Sequence, residues 1–364
     1  MEKATKPWLV RHDIPPSKWT AFARKLSKYT IYGCMLLLPA NTFEGPEWES
    51  IQPYLRDDSL EELYTLIAKY LKTTVIAINK PIPPHQEDSE DENVLRAPTN
   101  FTPVYGDFGP TSCSAPPTEE DFDAAFWVSA KQNAIRQTWS PRWTMFSRGN
   151  ISEKARLLTL PSVVKVVEEG RLESGCAVVD LYCGVGYFSF SYVKAGITKV
   201  LGWDLNPWSI EGLRRGAIAN KWGVTVFRDG ETDLEDVVKN DEQLLVFNET
   251  NELAPERISK MRALLPPIRH INCGMLPSSR SALKLAAMII DPRHDGWVHV
   301  HENFLISEID QKAEETRKEL QSLVSDQRGK DVRVELEYVS WLKSYAPGIE
   351  HCVLDILVAA TDPA

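Results

Sequence analysis

The chain has 364 residues, 43% of them hydrophobic, with eleven tryptophans and a formal net charge of −10. That length exceeds one ordinary domain and suits two, and the apolar share is enough for a substantial core. No apolar run reaches the ~18 residues of a membrane span, residues 1–7 are too polar for a secretory signal, and the six cysteines include no C-x-x-C pair, which excludes a zinc ribbon or disulfide framework and points to a reducing, cytoplasmic setting.

Residues 1 to about 80 read as a small α/β unit. Helices are expected over 18–28 and 60–70, and strands over 31–39 and 74–78. The first thirty residues are basic, with Lys3, Lys6, Arg11 and Lys18 among seven cations against Glu2 and Asp13. Residues 81–93 combine proline, acidic charge and low hydrophobicity, so they read as an exposed linker. Residues 94–125 stay loop-rich. This sets an N-terminal region at 1–125, a basic connector at 126–170 and an α/β domain at 171–364. Local basic stretches, not the negative total, are what phosphate binding needs.

The connector is dense in hydroxyl, amide and cationic groups between Trp139 and Arg156. Ser152 is placed to cap a helix, and Lys154 falls in its first turn. A cation there opposes the helix macrodipole and makes more sense facing an anion. A capped surface helix with stray charges is the plainer reading.

Next comes Ala177-Val-Val-Asp180, a buried strand with β-branched residues, then a turn at Gly184 and Gly186 and a helix over 187–195. Ligands bind outside the carboxyl ends of strands in open α/β sheets, and glycines let the backbone approach them. A third glycine is missing at the dinucleotide spacing, where Ser189 stands, and this weakens a nicotinamide reading. The pattern D-x-x-x-G-x-G resembles motif I of class I S-adenosylmethionine (SAM)-dependent transferases.

A strand over 198–203 ends at Asp204, which is placed for ribose hydroxyls, and a helix follows over 208–220. A third strand over 224–227 leads to Asp229, an acid suited to an adenine amino group. Taken singly, these acids also read as a cap and turns. Residues 244–249 are a short apolar run, and a helix over 251–265 interrupts the core. The fourth strand, 269–272, ends at Asn272, with Ser278 and Ser279 expected to cap a helix reaching about Met288. A fifth strand covers 297–302. His299 and His301 share its face without a third ligand nearby, so they read as structural and no metal is expected. A charged helix over 308–324 and an antiparallel pair over 332–340 and 350–359 complete a seven-strand sheet. Cys183 and Cys273 lie near the pocket and read as apolar filler.

Four segments match one family: Phe146-Ser-Arg-Gly-Asn-Ile-Ser-Glu-Lys154, Asp180-Leu-Tyr-Cys-Gly-Val-Gly186, Trp203-Asp-Leu-Asn-Pro207 and Asn272-Cys-Gly-Met-Leu-Pro-Ser-Ser279. From about Trp139 onward the chain resembles the tRNA wybutosine-synthesizing protein 2 family, fungal type. The resemblance implies a Rossmann-like class I SAM-dependent transferase that moves the 3-amino-3-carboxypropyl group of SAM. The acceptor it implies is 4-demethylwyosine at position 37 of tRNA-Phe, with 5′-methylthioadenosine released. It further implies cofactor contacts at Ser147, Lys154, Asp180, Gly184, Gly186, Asp204, Asp229 and Gly230, with Lys154 and Asn272 closest to the chemistry. Arg142, Arg148 and Asn150 are the residues expected to meet the tRNA, in its anticodon loop. Trp139 and Trp143 are candidates for base stacking, although tryptophans are more often core. No membrane and no obligate protein partner are implied.

Two departures stand out. Cys273 and Met275 replace the family's leucines, apolar for apolar, and Gly230 replaces an asparagine, which leaves only a backbone contact. The alternative is a SAM-dependent tRNA guanine-37 N1-methyltransferase. In that related group the fourth strand ends in N-x-P-P, whereas here Asn272 is followed by Cys-Gly. A non-catalytic SAM- or RNA-binding subunit is disfavoured by the intact glycine turn and Lys154.

Overall fold

A computed structural model describes residues 1–79, 95, 97–98, 101–173, 175–228 and 242–361. The linker expected at 81–93 lies outside the described residues. The chain divides into two compact units, one of Met1–Ala130 with Thr138–Phe146 and one of Lys131–Gln137 with Ser147–Ala364.

The first unit carries a four-stranded sheet in the order β1-β2-β3-β4. β1 (Thr30–Tyr32) and β2 (Met35–Pro39) are antiparallel, so the single strand expected over 31–39 is a hairpin. Gly33 makes the reversal with φ +58°, which an L-residue adopts only with strain. β3 (Val75–Asn79) pairs parallel to β2, and β4 (Phe101–Tyr105) pairs antiparallel to β3. Helices Glu2–Arg11, Pro16–Leu26 and Ser59–Leu71 enclose Trp8, Phe22, Leu26, Leu36, Leu63 and Ile67. Trp8 Nε1 donates to the Ser59 carbonyl at 2.6 Å, so the buried indole keeps a partner. The stretch read as loops holds β4 and a helix, Glu119–Ala124, started by a Thr118–Asp121 capping box.

β5 (Val128–Gln132) and β6 (Ile135–Trp139) form a hairpin turned at Asn133 and Ala134, both with positive φ. Two such residues in a two-residue loop match the right-handed twist of the strands.

The second unit is built on an eight-stranded sheet. Its strands are β7 (Ala177–Asp180), β8 (Lys199–Trp203), β9 (Val224–Arg228), β10 (Leu244–Asn248), β11 (Ile268–Cys273), β12 (Gly296–Leu305), β13 (Val334–Ala346) and β14 (Ile349–Val358). Across the sheet they run β13-β14-β12-β11-β7-β8-β10-β9. β7 to β12 pair parallel, and β14 is antiparallel to both β12 and β13. Helices cover both faces, which is why β7, β8 and β10 are continuously apolar rather than alternating. On one face, helices Pro161–Leu172, Ser189–Ala195 and Pro207–Ala219 bury Val166, Phe190 and Leu213 against Val178 and Val200. On the other, helices Ala254–Met261, Leu283–Ile289 and Ile309–Arg328 bury Ile258, Ala286 and Leu320 against Val179, Leu201 and Ile271.

The expected count of seven strands is thus one short. The apolar run at 244–249 is β10, which inserts between β8 and β9 and leaves β9 at the edge. Its Leu244 to Phe247 are all buried, which a free-standing segment would not achieve. The helix expected over 251–265 is shorter, a 3-10 turn at Asn251–Leu253 followed by Ala254–Met261.

Candidate active site

The carboxyl ends of β7, β8, β10 and β11 converge on the glycine turn. Gly184 N donates to Asp204 Oδ2 at 3.0 Å, and Asn206 N donates to Asp204 Oδ1 at 2.8 Å. Burial pushes the Asp204 carboxyl up to about 6, above the usual carboxylate range, against the pull of those two amides. Gly186 has φ +81°, and a Cβ on it would fall 2.7 Å from the Phe190 ring. No other residue fits there without moving the helix behind the turn.

Asp180 lies beneath the turn, fully buried. It accepts from Ser189 Oγ at 2.6 Å, Ser189 N at 3.1 Å and Asn272 Nδ2 at 3.0 Å. Burial raises its pKa, while the serine and asparagine bonds oppose the rise. Asp180 and Asn272 therefore stitch the ends of β7 and β11 together. Ser189, which stands where a dinucleotide fold would carry its third glycine, is needed here as a donor.

Lys154 approaches from helix Ile151–Leu157 and is 2% exposed. Its Nζ donates to Gln137 Oε1 at 2.8 Å and also to Gln132. Gln137 Nε2 donates in turn to the Gly186 carbonyl at 3.2 Å, so one amide separates the ammonium from the glycine turn. The Tyr187 ring centroid lies 5.6 Å from Nζ, and the Tyr187 hydroxyl accepts from Ser147 N at 2.9 Å. Ser147, Lys154, Gly186 and Tyr187 are thereby brought into one cluster. Burial lowers the Lys154 pKa to about 8. A desolvated ammonium held by neutral amides is a strong attractor for a carboxylate or phosphate. The cap expected from Ser152 is not formed. Asn150 holds the N-cap position without a side-chain bond, and Ser152 lies inside the first turn, because a 3-10 turn at Arg148–Asn150 leads straight into the helix.

The residues flanking Lys154 are anchored in the sheet. Arg156 pairs with Glu153 and with Asp355, its Nη2 lying 3.0 Å from Asp355 Oδ1. Asp355 Oδ1 is 2.7 Å from His299 Nδ1, and His299 Nε2 is 2.9 Å from His270 Nδ1. Ser340 Oγ donates to Glu153 Oε2 at 3.2 Å. Although burial would raise the Asp355 carboxyl, the bonds from His299 and Arg156 hold it well below the usual range. His299 thus belongs to a buried ion-pair network, and His301 pairs separately with His351 at 3.0 Å. Among the described residues no cluster of His, Cys, Asp or Glu is arranged to hold a metal ion.

The loop after β11 is held from β12. Ser278 Oγ donates to Glu302 Oε1 at 2.9 Å, Ser279 N donates to the same oxygen at 2.7 Å, and Ser279 Oγ donates to the Cys273 carbonyl at 2.7 Å. The two serines were expected to cap the following helix, but they tie down residues 273–279 instead, and the helix begins only at Leu283.

Cys183 and Cys273 are fully buried, and burial pushes both thiols up, so neither is a ready nucleophile. Trp139 is 2% exposed, stacks on Phe146 at 4.0 Å and meets Tyr32 edge-on, so it is core and not a base platform. Trp143 is half-buried, as is Arg142, whose Nε lacks a hydrogen-bond partner. Arg148 is exposed, and Asn150 Oδ1 is buried without a partner. Asp229 and Gly230 lie outside the described residues. Gln132, Gln137 and Tyr187 are site residues that the sequence motifs do not mark. Asn248, at the end of β10, is another: its Nδ2 donates to the carbonyls of Asp204 and Leu205 at 3.0 and 3.1 Å.

No family model matches the chain. It is 39% identical over 331 residues to tRNA wybutosine-synthesizing protein 2 of Schizosaccharomyces pombe, covering 91% of this chain and 72% of that protein. It is 31% identical over 374 residues to the protein of the same name from Saccharomyces cerevisiae, covering 90% and 73%. Among solved structures, it matches P. horikoshii TYW2 in complex with MeSAdo with a TM-score of 0.62 at 17% identity, over 99% of this chain and 100% of that one. It also matches Trm5b from Pyrococcus abyssi with a TM-score of 0.55 at 16% identity, over 95% and 78%. At those identities the two structures speak for the fold.

Proposed function

The chain belongs to the tRNA wybutosine-synthesizing protein 2 family, and from that membership, together with the buried Lys154 beside the glycine turn, we infer the reaction it carries out and the residues that serve it. It is a SAM-dependent transferase that passes the 3-amino-3-carboxypropyl group of SAM to a tRNA base during wybutosine synthesis. The acceptor we propose is a carbon of 4-demethylwyosine at position 37 in the anticodon loop of tRNA-Phe, and the enzyme is proposed to work in the cytoplasm.

The observation that carries the assignment of roles is the lysine's setting. Lys154 is nearly excluded from water, points at the glycine turn and is solvated by two glutamine amides. That setting suits the carboxylate of the methionine arm. Asp204, at the end of β8 and bonded to Gly184, suits the ribose hydroxyls. SAM supplies a sulfonium leaving group beside three electrophilic carbons. The protein's task is therefore to choose which carbon meets the acceptor, a matter of positioning. Lys154 and Ser147 hold the arm so that its Cγ faces the base. The C–S bond at that carbon breaks and its electron pair leaves on 5′-methylthioadenosine. A bond forms from Cγ to the base carbon, which then gives up its proton. Asn272 and Asp180 keep the β7 and β11 ends in register beneath this site.

The methyltransferase alternative is set aside because the loop after Asn272 is Cys-Gly-Met-Leu-Pro-Ser-Ser, tied to Glu302, and because the relatives above carry the other activity's name. The test uses SAM labelled either in the methyl or in the carboxyl carbon, with tRNA-Phe bearing 4-demethylwyosine. Carboxyl label in the RNA with release of methylthioadenosine is expected. Methyl label with release of S-adenosylhomocysteine would overturn the assignment.

A further inference from the structure

Lys343 lies on β13, the edge strand of the large sheet, directly across from His351 on β14. Among the described residues its side chain has no ion pair and no hydrogen bond, yet the residue is half-buried. Burial alone lowers its pKa. A cation half-removed from water and left without a partner costs free energy that nothing among the described residues offsets.

Its stem crosses the 3-10 turn at Arg148–Asn150. A Cβ on Gly149 would fall 2.6 Å from Lys343 Nζ and 3.0 Å from its Cδ. Glycine at 149 therefore leaves room for this side chain, which accounts for one residue of the Phe146 to Lys154 segment that the cofactor roles leave unexplained. Arg148, exposed on the same turn, adds a second positive charge to the spot.

The position in the sheet says which substrate is near. Asp204 ends β8 and the glycine turn follows β7, so the adenosine and arm belong to that half. Crossing from β7 through β11, β12 and β14 to β13 leads away from them. Along that path lie Phe188, whose ring is 4.8 Å from His301, and His351, which is bonded to His301. A histidine carries no negative charge in either protonation state, so neither supplies a negative partner.

We propose that Lys343 is a binding residue for a backbone phosphate of the substrate RNA, on the acceptor side of the active site. The inference rests on the tRNA transferase reading and adds the residue that seats the RNA strand. Lys154 takes the arm's carboxylate, and Lys343 takes the polyanion. Gly149 lets Lys343 reach across the turn that precedes Lys154, so RNA seating and cofactor seating meet at one turn.

The test measures binding directly, with full-length protein, a tRNA-Phe transcript across a salt series and, separately, SAM by thermal shift. Lys343→Gln should weaken RNA binding several-fold and flatten the slope of log affinity against log salt by about 0.7 to 0.9, one phosphate's worth of counterions. Lys343→Arg should restore the slope. Gly149→Ala, which keeps the charge but displaces Nζ, should weaken RNA binding as well. All three should bind SAM as the unaltered protein does. An unchanged salt slope in Lys343→Gln would overturn the proposal. So would a loss of SAM affinity in its place, which would put Lys343 on the arm. No turnover is read, so a methyl-label outcome in the transfer experiment would leave this test standing.

Discussion

Replacing Arg156 with methionine isolates the network behind Lys154. Methionine keeps most of the apolar stem, so the change removes chiefly the guanidinium. Arg156 is the cation between Glu153 and Asp355, which are 2% and 3% exposed. Without it two buried carboxylates face each other, with Ser340 and His299 as their remaining donors. Breaking a buried pair by removing one partner costs roughly 3–5 kcal/mol, and two stranded carboxylates place this case at the upper end. In the intact protein Asp355's depressed pKa contributes stability that is present above its unfolded value, about 3.9, and lost as pH falls below it. In the variant burial pushes the Asp355 carboxyl up against His299 alone, so its pKa rises from the intact protein's and protonation relieves the strain. The stability gap between the two proteins should be widest near pH 7.5 and should narrow at pH 5. Urea denaturation at both pH values measures it. A gap under about 1 kcal/mol, or one that widens on acidification, would refute the account of the network as a buried ion-pair anchor.

Lys154→Ala should lower transfer at least about a hundredfold while shifting the urea midpoint little, and near-normal turnover would remove the lysine from the mechanism. In the unaltered protein SAM affinity should fall as pH rises through about 8, where the Lys154 ammonium titrates, and Lys154→Ala should lack that limb in isothermal titration. Gly186→Ala should abolish SAM binding in a thermal-shift assay, since the added Cβ meets the Phe190 ring at 2.7 Å and φ is +81°. Trp139→Ala should cost about 3–5 kcal/mol in denaturant unfolding of the first unit, without selectively weakening tRNA binding while folded, as a core residue would.

The strand-turn-helix around Gly184 and Gly186 was legible because its signals are local: an apolar run, an acid at its end, and glycines where φ is positive. Asp204 followed from spacing along the chain in the same way. β10 was missed because four buried apolar residues next to a helix look alike whether they pair in a sheet or pack beneath it, and only the partners on each side decide. Ser278 and Ser279 carried a true polar signal with two uses, and Glu302, 23 residues beyond Ser279, settled which one holds. Gln137 has no local mark, since an amide on a hairpin becomes a lysine ligand only through the fold. Asp355 and Arg156 are 199 positions apart, and nothing in either neighbourhood announces the pair. Lys343 lies beyond the strand expected over 332–340, and its lack of a side-chain partner among the described residues is visible only in three dimensions.

The place of β10 bears on how the sheet assembles. β9 pairs with β10 and β10 with β8, so the earlier strand has no seat until the later one arrives. As the chain grows, β7 and β8 can zip together at once, while residues 224–228 wait for 244–248 to be synthesised. The two then dock as a unit, and β10 becomes the seam on which this half of the sheet closes. Amide hydrogen exchange should record that order. β10 should be protected like β7 and β8, β9 should open first, and weakening Leu245 or Val246 should release both strands together.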